Sequence, residues 1–357
     1  MFKERRDRVC KRMQSSHTSQ LLINDIQSIY YLTGIDNDPG ERLYALLLDA
    51  DGRAIMFMNR LFPVPDTDLE VIWFTDSDDY MHILSDHIDP EGTLGVDKLL
   101  PAKFLLPIMD RWSNLKVVVG SRCVDDTRAI KDEKEIELMI ENSLINDEVM
   151  RRAQAHIKEG ITEIEMKEYI EAQYKDLGCE SLSFPVICSF GPNGADPHHM
   201  PDETVLKRGD SIVIDIGGRK DRYCSDMTRT FFCKEVSKKH AEIHDLVRRA
   251  NEAAEAIIKP GVRLCDIDTA ARSMIDQAGY GKEFNHRLGH FIGQTDHEFG
   301  DVSSINTDTA KPGMIFSIEP GVYIVGDFGV RVEDLVLVTE DGCKVLNHVD
   351  KKYKLIG

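Results

Sequence analysis

The chain has 357 residues, 42% hydrophobic and 30% charged, with a net charge of −18. That length exceeds one ordinary core and calls for two domains, while the acidic balance leaves no electrostatic footprint for a phosphate backbone and so argues against nucleic acid as a partner. No apolar run is long enough to span a bilayer and no basic-then-apolar leader is seen, which reads as a soluble, cytoplasmic protein without a membrane partner.

Eight cysteines are scattered without a Cys-x-x-Cys pair, which sets aside zinc knuckles and thioredoxin chemistry. In chain order, Met1 to Gln14 has the pattern of a charged amphipathic helix. Strands are expected at Tyr44 to Ala50, Ala54 to Met58, Leu69 to Phe74 and Leu115 to Val119, with a tight turn at Asp51-Gly52 and helices near 79–87 and 102–112. Strands alternating with helices give an α/β (α+β) unit with a mixed sheet covered by helices. The loop from Gly34 to Arg42 is dense in charge; it reads either as a solvated connection or as a lid.

Near residue 125 the texture changes to long helices, dividing the chain into domains 1–125 and 126–357. Asp132 with Glu135 and Thr162 with Glu165 have the spacing of capping boxes, and Ser237 opens a further long helix. Gly160 to Gly178 and Gly261 to Gly279 have the same length, each follows a long helix, and each precedes histidines and a carboxylate-bearing hairpin. This points to an internal duplication whose halves close around a shared site.

The first hairpin runs from Gly209 to Phe232. A turn centred on Lys220 and Asp221 would set Asp215 opposite Asp226. Opposed Cβ atoms lie about 4.5–5.5 Å apart, so two aspartates there either end a solvated hairpin or flank a divalent cation. The second hairpin, Gly313 to Val338, carries Glu319 and Glu333 opposite each other to within one residue. Four converging carboxylates are hard to keep ionised without about two divalent cations.

His198 and His199 end a loop rich in Gly, Pro and Asn that is expected over Ser189 to Pro201, and His286, His290 and His297 cluster later. One neutral imidazole added to four carboxylates makes a five-ligand dinuclear centre.

The Asp215 and Asp226 hairpin, Gly289-His290, Ser317 to Gly321 and Val330 to Asp334 together resemble the five-ligand signature of the pita-bread metallopeptidases. The size of the amino-terminal domain resembles the prolidase and aminopeptidase P branch. The resemblance implies a creatinase-like amino-terminal domain followed by a pita-bread catalytic domain with an internal pseudo-two-fold repeat. It implies two divalent metal ions per subunit, Mn2+ first, with Co2+, Zn2+ or Fe2+ as alternatives. Asp215 would serve one ion, Asp226 and Glu333 would bridge, and His290 with Glu319 would hold the other. His198 and His297 match substrate-binding histidines, Arg331 a buried supporting arginine, and Glu319 a proton carrier. Two departures stand out: Phe291 and His199 occupy positions where glycine is common in the family.

The implied activity is hydrolysis of an Xaa-Pro bond by a hydroxide held between the two ions, on a small peptide with proline second, in a homodimer. A dipeptidase needs a cation for the free carboxylate, and Arg287 and Arg42 are the candidates. Aminopeptidase P chemistry on longer peptides, a metal-free creatinase-like hydrolase and a non-catalytic binding module are the alternatives.

Overall fold

The computed structural model describes residues 1–63 and 66–357, and they form two compact units, Met1–Arg128 and Ala129–Gly357. The first unit contains, in order, α1 (Phe2–Ser15), β1 (Gln20–Ile23), α2 (Ile26–Thr33), β2 (Ala45–Asp49), β3 (Ala54–Asn59), β4 (Glu70–Phe74), α3 (Tyr80–Ser85), β5 (Thr93–Val96), α4 (Ala102–Arg111), β6 (Lys116–Val119) and α5 (Arg122–Arg128). Its sheet has the order β4-β3-β2-β1-β5-β6, with β1-β2 and β2-β3 antiparallel and the other neighbours parallel.

Alternate residues of one strand point to opposite faces, and this sheet shows it. Leu21, Ile23, Leu46, Leu48, Met56 and Met58 pack with Val9, Ile29 and Val124 of α1, α2 and α5. Leu22, Ala45, Leu47, Ile55 and Phe57 pack with Leu84, Phe104 and Ile108 of α3 and α4. Both faces are therefore covered by helices. The break expected at residue 125 falls inside α5.

The second unit continues with α6 (Glu133–His156), α7 (Glu163–Asp176), β7 (Ser181–Leu182), β8 (Ile187–Phe190), β9 (Ser211–Ile216), β10 (Gly218–Lys220), β11 (Tyr223–Cys224) and β12 (Met227–Cys233). Next come α8 (Lys238–Ile257), α9 (Leu264–Gln277), β13 (Gly289–Phe291), β14 (Glu298–Val302), β15 (Ile315–Ile318), β16 (Gly321–Ile324), β17 (Phe328–Arg331), β18 (Asp334–Val338), β19 (Cys343–Val345) and β20 (Leu355–Ile356). Helices α6 and α7 start on the two capping boxes that the sequence spells, and Ser237 caps α8 through the His240 amide.

The element order repeats. Helices α6 and α7 pack on β8, β9 and β12 in one core, while α8 and α9 pack on β13, β15 and β18 in another. The sheets run β20-β12-β9-β8 and β14-β13-β15-β18-β19. Local details match as well. The Gly160 amide donates to the Leu206 carbonyl and the Gly261 amide to the Ala310 carbonyl. Gly160, Gly178, Gly261 and Gly279 all hold positive φ, a conformation that costs glycine little.

The halves meet where β12 touches the junction of β17 and β18. The Glu333 amide donates to the Thr228 carbonyl at 3.1 Å, and Thr230 Oγ1 exchanges hydrogen bonds with the Arg331 main chain. Fully buried Arg229 reinforces this seam, donating to the Glu333 carbonyl and pairing with Asp334 at 2.7 Å. The carboxylates lie along that seam.

Candidate metal centre

The first hairpin differs from expectation by a shift of two residues. Strand β9 pairs with β12 so that Asp215 faces Thr228, and Ile216 faces Met227. The chain turns at Asp221 and Arg222, both at positive φ, rather than at Lys220 and Asp221. Asp226 lies just ahead of β12 and is thus the diagonal neighbour of Asp215, not its opposite number. Because a shift of two preserves the face, both carboxylates still point to the same side.

The second hairpin keeps one register through its length. Ile318 pairs with Asp334 and Gly321 with Arg331, so Glu319 and Glu333 stand opposite each other in the gap between the two ladders. Ser317 Oγ receives the His290 amide at 3.0 Å and donates to Glu319 Oε1 at 3.1 Å. Thr228 Oγ1 donates to Glu333 Oε2 at 2.7 Å. Arg331, buried, gives Nη2 to Asp215 at 2.6 Å, Nε to Thr228 Oγ1 at 3.0 Å and Nη1 to the Tyr323 hydroxyl at 2.8 Å.

His290 comes from β13. Its Nδ1 faces the Phe291 carbonyl at 3.2 Å, which leaves Nε2 turned inward, 3.4 Å from Asp226 Oδ2 and 3.6 Å from Glu319 Oε1. A ring held through its other nitrogen in this way is oriented as a ligand. Ligand atoms of Asp226, His290 and Glu333 all lie within 4.8 Å of one another.

Taking a carboxyl group out of water disfavours its charged form. Burial, then the adjacent Asp215, pushes Asp226 well above the ordinary carboxylate range. Burial and the neighbouring Asp226 and Glu319 do the same to Glu333. Glu319 rises to about 7, driven by burial and opposed by His290 and Arg331. Among the described residues, Asp215 Oδ1 and Asp226 Oδ1 are buried without a hydrogen-bond partner. Such orphaned oxygens are costly, and a set of carboxylates with one imidazole suits hard divalent cations. The residues therefore fit a metal centre.

The centre opens into a cavity of about 580 Å3. His198, Arg287 and His297 line it together with Asp215, Asp226, His290, Glu319, Arg331 and Glu333, and Phe184, Pro185, Ile187 and Met200 supply an apolar wall. The His297 ring stands edge-on to His290, centroids 4.0 Å apart; desolvation and the neighbouring His290 bring its pKa down to about 4. The adjacent His199 instead turns away, its Nε2 2.8 Å from Glu163. Strand covers Ser189 and Phe190 and a short 3-10 turn covers Gly191–Ala195, so the loop is confined to the residues that follow.

Arg42 belongs to the amino-terminal unit, where Nε and Nη2 already donate to Asp76 at 3.0 and 3.1 Å. Reading the sequence did not single out Tyr323, Thr228 or Ser317. The Tyr323 hydroxyl also meets His286 Nε2 at 3.0 Å, and its only signal was a tyrosine in an otherwise aliphatic strand.

Two family models match the chain, metallopeptidase family M24 over residues 137–340 and the creatinase/prolidase N-terminal domain over residues 5–130. An uncharacterized peptidase of Staphylococcus aureus (strain USA300) is 35% identical over 339 residues, 91% of this chain and 93% of the relative. Among solved structures, the recombinant prolidase from Thermococcus sibiricus superposes with a TM-score of 0.92 at 31% identity, covering 100% of this chain and 99% of that one. The X-Pro aminopeptidase from Thermotoga maritima gives 0.84 at 28% identity, covering 98% and 99%. With its buried carboxylates and inward-turned imidazole set on a duplicated scaffold, the chain belongs to metallopeptidase family M24, in the branch that carries a creatinase/prolidase amino-terminal domain.

Proposed function

We propose that this enzyme hydrolyses the peptide bond between an amino-terminal residue and a following proline, with the dipeptide as its preferred substrate. The observation that carries the reading is the convergence of four carboxylates, two with unpartnered buried oxygens, and His290 Nε2 at the floor of one cavity. Likeness to a prolidase over the whole chain supports the proline specificity.

In this proposal Asp215, Asp226, His290, Glu319 and Glu333 would hold two divalent ions; Mn2+ is the first candidate, with Co2+, Zn2+ and Fe2+ as alternatives. Such a pair, when bound, would supply Lewis acidity and a nucleophilic water near neutral pH. The chain supplies the rest. Arg331, tied to Tyr323 and Thr228, fixes the Asp215 carboxylate. His297, neutral above about pH 4, donates its N–H to the oxygen of the scissile carbonyl. His198 contacts the proline side, and Arg287 at the cavity wall takes the free terminal carboxylate. Glu319, steadied by Ser317, takes a proton from the attacking water and passes it to the departing nitrogen. The apolar wall excludes water from the reacting bond.

The homodimer and the cytoplasmic setting form part of the same proposal. Arg42, engaged by Asp76, would have to exchange that partner to reach a substrate. A second reading, aminopeptidase activity on longer peptides, is favoured by the likeness to an X-Pro aminopeptidase. Alanyl-proline and alanyl-prolyl-alanine, assayed with added Mn2+ and again with a chelator, separate the readings. A higher kcat/KM on the dipeptide that chelation abolishes is expected. Equal rates on both peptides would favour the aminopeptidase, and activity surviving complete metal removal would end the metal-dependent reading.

A further inference from the structure

Glu163, His199 and Asp202 form a second cluster of groups close enough to hold a cation. Its bonding argues otherwise. Glu163 is the first residue of α7 and is fully buried. Its Oε1 accepts the Phe190 amide at 2.7 Å and Asn193 Nδ2 at 3.0 Å. Its Oε2 meets His199 Nε2 at 2.8 Å and accepts the Asp202 amide at 3.1 Å. Each oxygen thus has two protein donors, and the helix N-terminus favours the negative charge. No lone-pair direction is left for a metal.

Those four donors straddle one segment. Phe190 precedes the short 3-10 turn Gly191–Ala195, Asn193 lies inside it, and His199 and Asp202 follow His198. The far side of the segment is clamped as well, since the Pro197 carbonyl accepts from Arg331 at 3.4 Å. A Cβ added at Gly329 would come within 1.6 Å of the Gly194 carbonyl oxygen, so the turn lies directly on β17. Among the described residues, His198, between these anchors, is hydrogen-bonded through its amide alone, to Asp196 at 3.0 Å.

We infer that Glu163 and His199 act as a latch that fixes the 190–202 segment and so presents the His198 imidazole to the substrate. Both are positioning residues. The inference rests on the proposal that His198 contacts substrate, and it assigns His199 a task distinct from that of its neighbour. Substrate affinity, rather than metal content, is what the latch controls.

The test is steady-state kinetics of the metal-loaded full-length enzyme on alanyl-proline, with metal stoichiometry and thermal melting measured on each variant. His199→Phe, which keeps the volume of the ring but not its donor, raises KM about tenfold, the scale of one buried hydrogen bond to a charged group, with metal stoichiometry unchanged. His199→Gln, whose amide can still donate to Glu163, restores KM to within about twofold, and the shorter His199→Asn does not. His198→Ala raises KM similarly, and combining it with His199→Phe adds little, because the latch then has nothing to present. A His199→Phe enzyme with unchanged KM beside an impaired His198→Ala enzyme overturns the latch and leaves the role of His198 standing. A silent His198→Ala overturns the role of His198 itself. A His199→Phe effect that persists in full on the His198→Ala background, or that glutamine fails to relieve, also overturns the latch.

Discussion

At the scale of single residues, the centre is a problem in charge. Four acids and one buried arginine share a desolvated floor, and Asp226, Glu319 and Glu333 respond by holding protons that carboxylates normally release. Among the described residues lining the cavity, Arg287 is an exposed cation with no carboxylate partner; in the amino-terminal unit, the Arg42 guanidinium is occupied by Asp76. The difference predicts unequal effects. Arg287→Ala raises KM for alanyl-proline by about tenfold, as expected for losing a charge-assisted contact, yet changes KM for alanyl-prolinamide by no more than about twofold, because that substrate lacks the carboxylate. Arg42→Ala leaves both within about twofold, because its guanidinium is taken up by Asp76. Initial rates of the two variants on the two substrates check this directly. The residue types at the site were legible because Asp, Glu and His stand out against aliphatic strands. Their exact pairing was less so. The first hairpin turns on Asp221 and Arg222, both at positive φ, and arginine there gives none of the signal that Asn-Gly gives. Only the face, not the register, followed from the alternation.

At the scale of elements, helix starts were the best-written part of the chain. Asp132 accepts the Glu135 amide at 3.0 Å while Glu135 returns a bond to the Asp132 amide at 2.9 Å, and Thr162 with Glu165 repeats the arrangement. Removing an N-cap of this kind costs about 1 kcal/mol. Asp132→Ala therefore lowers the urea midpoint by an amount equivalent to about 1 kcal/mol, with kcat on alanyl-proline unchanged, since α6 carries none of the cavity residues. A fall in kcat without a shift in midpoint would show that the cap acts on the site instead. Strands were harder. Gln20–Ile23 and Thr93–Val96 lie side by side at the middle of the amino-terminal sheet, yet neither was expected. Each is four residues long, and Gln20–Ile23 is buried throughout, so the two-residue alternation of a half-exposed strand is absent.

At the scale of the whole molecule, the duplication explains why so acidic a floor is tolerable. Each half brings its own helices and its own core, and both spend that packing energy to hold carboxylates together at the seam between them. The cost appears in the titration of the metal-free protein. Glu319 has its folded-state pKa raised from an ordinary 4.5 to about 7, and Asp226 and Glu333 move in the same direction. A raised acid stabilises the fold relative to the unfolded chain at low pH, and that contribution is lost as the pH climbs from about 4.5 through about 7. Divalent cations act oppositely, because they bind the ionised acids and displace their protons. A bound ion at a hundred times its dissociation constant adds about 2.7 kcal/mol per site. The melting temperature of the metal-free protein should therefore fall between pH 5 and pH 8 while that of the Mn2+-loaded protein holds, so that the gap between them widens steadily. Calorimetric titration of Mn2+ into the stripped protein, repeated in buffers of different ionisation enthalpy, should register proton release at pH 7 and progressively less at pH 8. A gap that stays constant across this range, or binding without proton release at pH 7, would mean that the floor is already ionised and that some other cation, Arg331 foremost, balances it alone.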